Sequence, residues 1–249
     1  MSKLLEDKVV AVIGGSGGIG AGICRAFAQA GATCIVAYNN NEQAALDVVE
    51  TLIGEGHWAH YVPVDISAAL ESFAQVVDEK HGKLDILINC AGITKFVSHN
   101  DLKALDDDLI DDMFRVNWRG SFAAIRVFHD LLKSTGDGLV VNISSVAGIH
   151  GVGSNIAYCA SKAAVDTMTK SLGRALAPDI RVVAVSPGMV ETGFVKKLNP
   201  KWLAQQKALT PMKEFATVEQ VAQTVLGVAT HLTFSTGCVV QVDGGRPLG

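Results

Sequence analysis

The 249 residues, 49% hydrophobic and 18% charged, suffice for one large core and fit a single α/β unit, so one catalytic domain is expected over residues 1–249. A formal net charge of -4, with Lys and Arg scattered, offers no basic stripe for a phosphate backbone and excludes nucleic acid as the expected partner. Five widely spaced cysteines without a Cys-x-x-Cys pair, no histidines at ligand spacing, no apolar leader and no long apolar run exclude a disulfide framework, a metal site and a membrane span, and predict a cytoplasmic protein.

In chain order, the apolar run Val9–Ile13 predicts a strand, followed by a glycine-rich turn and a helix over Ile19–Ala30. Strands are then expected at Thr33–Tyr38, Trp58–Val62, Ile86–Asn89, Leu139–Ile143, Arg181–Val185 and Val239–Val242. Helical periodicity fills the intervals at Glu42–Gly54, Ala68–His81, Asp106–Leu132, Ala157–Leu176 and Val218–Ala229. Strands that are nearly continuous apolar runs, alternating with helices, predict a doubly wound, mostly parallel seven-stranded sheet with helices on both faces. Met189–Pro211, carrying Gly193, Phe194, Pro200 and Trp202, breaks the rhythm and reads as a substrate loop, with Phe194 and Trp202 as its anchors. No internal repeat or linker marks a second domain.

The turn after the first strand is Gly14-Gly15-Ser16-Gly17-Gly18-Ile19-Gly20. Missing Cβ atoms at Gly14, Gly18 and Gly20 let the backbone turn sharply, approach a pyrophosphate and pack the new helix on the sheet, with that helix's free amides facing the anion. A glycine turn by itself is compatible with an ordinary flexible loop; a strand before it and a helix after it favour a dinucleotide. No Gly-Lys-Ser/Thr follows, which disfavours a nucleoside triphosphatase. At the end of the second strand, Tyr38 and Asn39 lead into Asn40-Asn41 with no carboxylate before Glu42. A carboxylate there would hold a ribose 2′-hydroxyl and repel a 2′-phosphate, so NADP(H) is favoured over NAD(H), although no Arg or Lys stands there either.

Tyr158 and Lys162 are four residues apart and share a helix face. An ammonium about 4 Å from a phenol contributes roughly 4 kcal/mol toward the phenolate at an effective dielectric near 20, opposed by desolvation, and the sum is expected to bring Tyr158 within working range for proton transfer. Ser145, just past a strand end and 13 positions before Tyr158, converges on the same sheet edge, where its hydroxyl can donate to a substrate oxygen.

With these motifs the chain resembles the short-chain dehydrogenase/reductase family over essentially its whole length. The match runs through Gly14-x3-Gly18-Ile19-Gly20, Asp65-Ile66, Asn89-Cys90-Ala91-Gly92, Asn117, Asn142-Ile143-Ser144-Ser145, Tyr158-x3-Lys162, Pro187-Gly188 with Val190 and Thr192, and Val242-Asp243-Gly244-Gly245. The resemblance implies a Rossmann-type NAD(P)-binding fold and interconversion of a carbonyl and an alcohol, with Tyr158 as acid/base, Ser145 orienting the substrate oxygen and Lys162 also holding the nicotinamide ribose. By the same resemblance Asn117 positions a relay water, Asp65 and Ile66 flank the adenine, Asn89, Ala91 and Gly92 line the cofactor channel, Pro187 and Gly188 follow it, and Val190 and Thr192 meet the carboxamide and phosphates. It also implies a homodimer or homotetramer built on the long helices. Ile13 stands where the family usually has Thr.

Other readings stay open. Asp65 can instead cap the next helix with Ser67, and the Asp106–Asp112 carboxylates read as solvated charges at a helix start rather than a metal site. His150 is the one histidine near the expected pocket, and Cys159, off the Tyr158 face, reads as buried filler. Relatives of the 3-oxoacyl-acyl-carrier-protein reductase type usually carry basic residues beside the site entrance; the corresponding stretches here are Gly136-Asp137 and Pro178-Asp179, with Lys133 and Arg174 nearby. A non-catalytic dinucleotide sensor is the alternative outside enzymology, and an enoyl reductase is disfavoured by the Tyr–Lys spacing.

Overall fold

The computed structural model describes residues 4–68, 70–193, 195 and 198–246. Seven parallel strands form one sheet: β1 (Val9–Ile13), β2 (Thr33–Tyr38), β3 (Ala59–Pro63), β4 (Ile86–Asn89), β5 (Gly138–Ile143), β6 (Ile180–Pro187) and β7 (Val239–Val242). The spatial order is β3-β2-β1-β4-β5-β6-β7. Winding therefore reverses between β1 and β4, which pair from Val10 against Ile86 to Ile13 against Asn89. That reversal opens a crevice beyond the carboxyl ends of the two strands, where α/β sheets bind ligands.

Helices α1 (Gly18–Gln29), α2 (Glu42–Gly54) and α9 (Val218–Thr230) cover one face, burying Ile23, Phe27, Leu52, Val221 and Val225 against the sheet. On the other face lie α3 (Leu70–His81), α5 (Ser121–Lys133) and α7 (Ile156–Ala175), whose Phe73, Phe128, Leu132 and Val165 fill the second core layer. Phe73 and Phe128 meet edge to face at 5.0 Å between ring centroids.

Three expectations are corrected. The helix expected over Asp106–Leu132 is broken into α4 (Asp107–Phe114), a π turn (Arg115–Gly120) and α5. At the seam, Gly120 packs so closely on Ile66 that a Cβ would stand 2.8 Å from its Cγ1. The segment Met189–Pro211 is not a plain loop, because it contains α8 (Pro200–Leu209), capped by Asn199 Oδ1, which accepts from Lys201 N at 3.0 Å and Trp202 N at 3.2 Å. No residue of α8 is buried, so it carries no apolar stripe for periodicity to reveal. A short helix, α6 (Val146–His150), also follows Ser145. Smaller shifts start β3 one residue late, leaving Trp58 exposed, and extend β6 to Pro187.

Candidate active site

The glycine turn has the shape its sequence requires. Gly14 has φ +81° and a Cβ there would come 2.8 Å from Ala91 N, while a Cβ on Gly20 would collide with Gly14 O. Gly17 caps α1 without any side-chain hydrogen bond, and no acidic residue occupies the first turn, so the helix amides and positive dipole end face the crevice uncontested. A cleft of about 480 Å³ follows, lined by Gly14, Gly17, Gly18, Ile19, Gly20, Gly92, Ser145, Tyr158, Lys162, Pro187, Gly188, Val190 and Thr192. Its depth, its glycine floor and its free helix amides fit a dinucleotide.

Ser16, Tyr38, Asn39, Asp65, Ile66, Asn89, Ala91 and Asn117 do not line that cleft. Tyr38 and Asn39 end β2 beside Asp65 and Ile66, which follow β3, so these four bracket one corner of the carboxyl edge. The phenol of Tyr38 is raised by burial, by the charge of Glu42 and by a hydrogen bond to it, which engages that carboxylate at the first turn of α2. Asp65 Oδ1 accepts from Ser67 N at 2.8 Å and Ser67 Oγ at 2.6 Å, and those bonds hold its carboxyl below the ordinary range. The Ile66 side chain is buried against Gly120. Asn89 is a strut below the cleft: its amide donates to Asn142 Oδ1 at 2.9 Å, and Asn142 donates to Thr169 Oγ1 at 2.9 Å, tying β4 and β5 to α7. Ala91 offers the backbone that Gly14 approaches, and its methyl packs against the second core layer.

Tyr158 and Lys162 occupy the first turns of α7. Asn155 caps that helix, its Oδ1 accepting from Tyr158 N at 2.7 Å while its amide donates to Lys95 O at 2.7 Å. This fully buried asparagine fixes the phenol's backbone and the loop beside it. Its role is one that sequence alone could signal, because Asn three residues before Tyr158 at the start of a helical segment is an N-cap pattern. Ser145 caps α6, its Oγ accepting from Ala147 N at 3.2 Å. That use of its lone pair leaves the hydroxyl proton for another acceptor.

The expected electrostatic balance is corrected. Burial raises the Tyr158 phenol, a hydrogen bond with Ser145 only partly opposes it, and Lys162 does not bring it down. The ammonium turns toward β5 instead, donating to Ile143 O at 2.8 Å and standing 5.9 Å from the Tyr158 ring centroid. Burial pulls Lys162 down to about 8, against smaller upward pulls from Cys90 and Asp166. Asn117, brought in by the π turn, spends its amide on the loop after β4: Oδ1 accepts from Ile93 N at 2.8 Å, and Nδ2 donates to Ile93 O at 3.1 Å and Ser161 Oγ at 3.0 Å. It faces Lys162 across Gly92, where a Cβ would lie 3.3 Å from Asn117 Oδ1 and 3.5 Å from Lys162 Nζ.

A second cavity of about 410 Å³ shares Ser145 and Tyr158 with the cleft and is walled mostly by apolar side chains, among them Phe96, Val152, Met189, Leu198 and Trp202, with Gln206 and Arg246 also in its lining. Trp202 thus sits in the wall; Phe194 lies outside the described residues. His150 is exposed and lines neither cavity. Cys159 is buried with its thiol raised by desolvation. Asp106 Oδ1 caps α4 at Leu109 N, 2.8 Å away, and among the described residues no three His, Cys, Asp or Glu side chains could hold a metal ion. Gly136-Asp137 and Pro178-Asp179 precede β5 and β6, which places them at the amino edge, on the end of the sheet opposite Tyr158; Asp179 pairs there with Lys133 at 3.3 Å.

The short chain dehydrogenase family model matches residues 8–202. The chain is 36% identical to a 3-oxoacyl-[acyl-carrier-protein] reductase of Thermotoga maritima, over 97% of this chain and 98% of that protein. It is 31% identical to a 3alpha-hydroxysteroid dehydrogenase of Mediterraneibacter gnavus, over 98% of each. Among solved structures, a 3-oxoacyl-[acyl-carrier protein] reductase from Brucella melitensis superimposes with a TM-score of 0.90 at 30% identity, covering 98% of this chain and 92% of that one. A glycine-floored cleft at the switch point of a seven-stranded parallel sheet and this similarity along nearly the whole length agree: the chain belongs to the short-chain dehydrogenase family, NAD(P)-dependent oxidoreductases that interconvert carbonyls and alcohols.

Proposed function

We propose that the protein is an NADP(H)-dependent carbonyl reductase working on a small molecule with a largely apolar body, with Tyr158 as its acid. The observation that carries this reading is that the dinucleotide cleft and the apolar cavity meet at Ser145 and Tyr158. The dinucleotide supplies the hydride. The chain's own residues do the rest. Ser145 donates to the substrate oxygen, stabilising charge that grows as the carbonyl becomes an alkoxide. Tyr158, kept protonated by burial, delivers its proton to that oxygen. Lys162 holds the ribose end and returns positive charge toward the phenolate, and Asn117 positions the water through which the relay reaches solvent.

The NADP(H) preference rests on Asn39, Asn40 and Asn41, none of them acidic, at the end of β2. The adenine half is assigned to the corner formed by Tyr38, Asn39, Asp65 and Ile66. Five unpaired cysteines suit a cytoplasmic protein, and no helix among the described residues is long and apolar enough to cross a membrane. We assign a homodimer or homotetramer built on the α4–α5 segment and α7; on the former, Trp118 and Phe122 stack at 6.2 Å with Arg126 over the latter ring. Similarity to 3-oxoacyl-[acyl-carrier-protein] reductases keeps a β-ketoacyl thioester as the second reading. A non-catalytic sensor would need neither a half-buried tyrosine held by a helix cap nor a cavity opening onto it. The test is oxidation of NADPH and NADH with ketones, β-ketoacyl thioesters, sugar carbonyls and steroid carbonyls; faster turnover with NADH overturns the cofactor choice, and no turnover with any carbonyl overturns the reductase.

A further inference from the structure

The largely apolar cavity carries one charge on its wall. Among the described residues that line it, Arg246 alone carries one. Three features bring it there. β7 is followed by Gly244 and Gly245 at φ +64° and +77°, and Gly245 N donates to Asp243 Oδ1 at 2.8 Å. Arg246 N then closes the turn on Asp243 O at 3.2 Å. The side chain swings back over α8, where Nη1 donates to Gln206 O at 3.0 Å and Nη2 donates to Gln206 Oε1.

Both partners are neutral oxygens. Among the described residues no carboxylate pairs with Arg246, whereas Lys8, Lys83, Arg115, Lys133 and Lys207 each have one. A guanidinium has five N–H donors in a rigid planar fork, and two are used here. Arg246 shares the cavity wall with apolar side chains, where a charge-assisted pair is strengthened and a planar two-oxygen acceptor is the matching shape for the donors left over. Gln206 takes Nη2 on its side-chain Oε1 and Nη1 on its backbone O, so its own amide protons are not spent on Arg246.

We propose that Arg246, steadied by Gln206, is a specificity residue that selects carbonyl substrates bearing a carboxylate at the far end of an apolar body. This rests on the reductase reading, since the carbonyl end is assigned to Tyr158 and Ser145. It also separates the two substrate readings: a free oxo acid has the anion, and a thioester of the same acid lacks it. The competing role for Arg246 is a plain latch between the C-terminal turn and α8.

Titration calorimetry with NADP+ present, using straight-chain oxo acids of increasing length and their methyl esters, distinguishes these. We expect one chain length at which the acid binds about 30-fold more tightly than its ester. In Arg246→Met that gap closes, and in Arg246→Lys it is partly restored. Equal affinities in the wild type, or a gap that survives Arg246→Met, overturn the proposal. Equal loss of acid and ester in Arg246→Met leaves the gap intact and therefore also overturns it, in favour of the latch. Thermal unfolding and NADP+ affinity of each variant show that it is folded. Turnover of the esters with NADPH is read separately, so a failed reductase and a failed anion site give different results.

Discussion

Two buried charged sites sit at opposite edges of the same sheet and are treated in opposite ways. At the amino edge Asp85, 2% exposed, receives Lys8 Nζ at 2.8 Å, Lys83 Nζ at 3.1 Å and Val9 N at 2.9 Å. Burial pushes its carboxyl up, but the hydrogen bonds from Lys8, Val9 N and Lys83 outweigh burial and leave it below the ordinary range. At the carboxyl edge Lys162, 5% exposed, has a neutral carbonyl as its hydrogen-bond partner and is pulled down to about 8, while Tyr158 is pushed up. The amino edge is satisfied and serves stability; the carboxyl edge is left electrostatically short, which is the condition for moving protons.

Substitutions break this comparison most sharply at Tyr158. Tyr158→Phe keeps the ring and removes the proton, so kcat is expected to fall about 1000-fold, roughly 4 kcal/mol, with NADPH affinity within about twofold and thermal stability unchanged. Stopped-flow turnover and fluorescence titration read both. Retained turnover would falsify the assignment of the acid.

The mirror experiment is Asp85→Ala. It leaves two lysines without their buried partner, but both reach solvent, so the cost is about 2 kcal/mol, or roughly 6 °C in Tm. Because the native carboxyl is depressed, its stabilisation is full above the unfolded pKa and disappears as pH falls through the lower native one. kcat at 25 °C should be unchanged; a parallel loss of kcat would mean that the two edges are coupled. Asn155→Ala stands between the extremes. Losing the α7 cap costs about 1 kcal/mol, and the freed phenol backbone lowers kcat roughly tenfold with little change in cofactor affinity. A stability loss without a kcat loss would make Asn155 a cap and nothing more.

The amino-edge and carboxyl-edge roles differ in how far the sequence declares them. Strands such as Thr33–Tyr38 and Ile86–Asn89 were legible to the residue because a strand covered on both faces must be apolar throughout. The glycine turn was legible because only glycine tolerates the approaches at Gly14 and Gly20. Helix α8 was not, since none of its residues is buried and its ten residues carry no pattern. The π turn was hidden because nothing local in Arg115–Gly120 announces it, and the residue packed on its last glycine, Ile66, lies 54 positions away in the chain. The Tyr158 balance failed for a related reason: spacing puts Lys162 on the right face, but which acceptor its ammonium reaches depends on the carbonyl of Ile143 in another element.

The smallest expected effect belongs to the amino half of the sheet and tests whether all strain there serves stability. His60 in β3 stacks on His81 of α3 at 5.2 Å, and the Nε2 atoms of both are buried without a hydrogen-bond partner. Burial, then Lys80 and His81, lowers His60 to about 4, while an unfolded histidine titrates near 6.5. Between those values the unfolded chain binds the proton that the native state refuses, so stability falls as pH drops from about 6.5 to about 4. His60 is only half-buried, and solvent screening reduces the loss to about 1 kcal/mol. His60→Phe keeps the stacked ring and removes the titration; about half of the loss falls between pH 7 and pH 5, so over that interval its urea midpoint should fall less than that of the wild type, by roughly 0.3 M at an m-value near 2 kcal/mol/M. If both proteins lose the same stability over that interval, the histidine pair is not the source, and the acid response of the amino half belongs to Asp85 and its lysines.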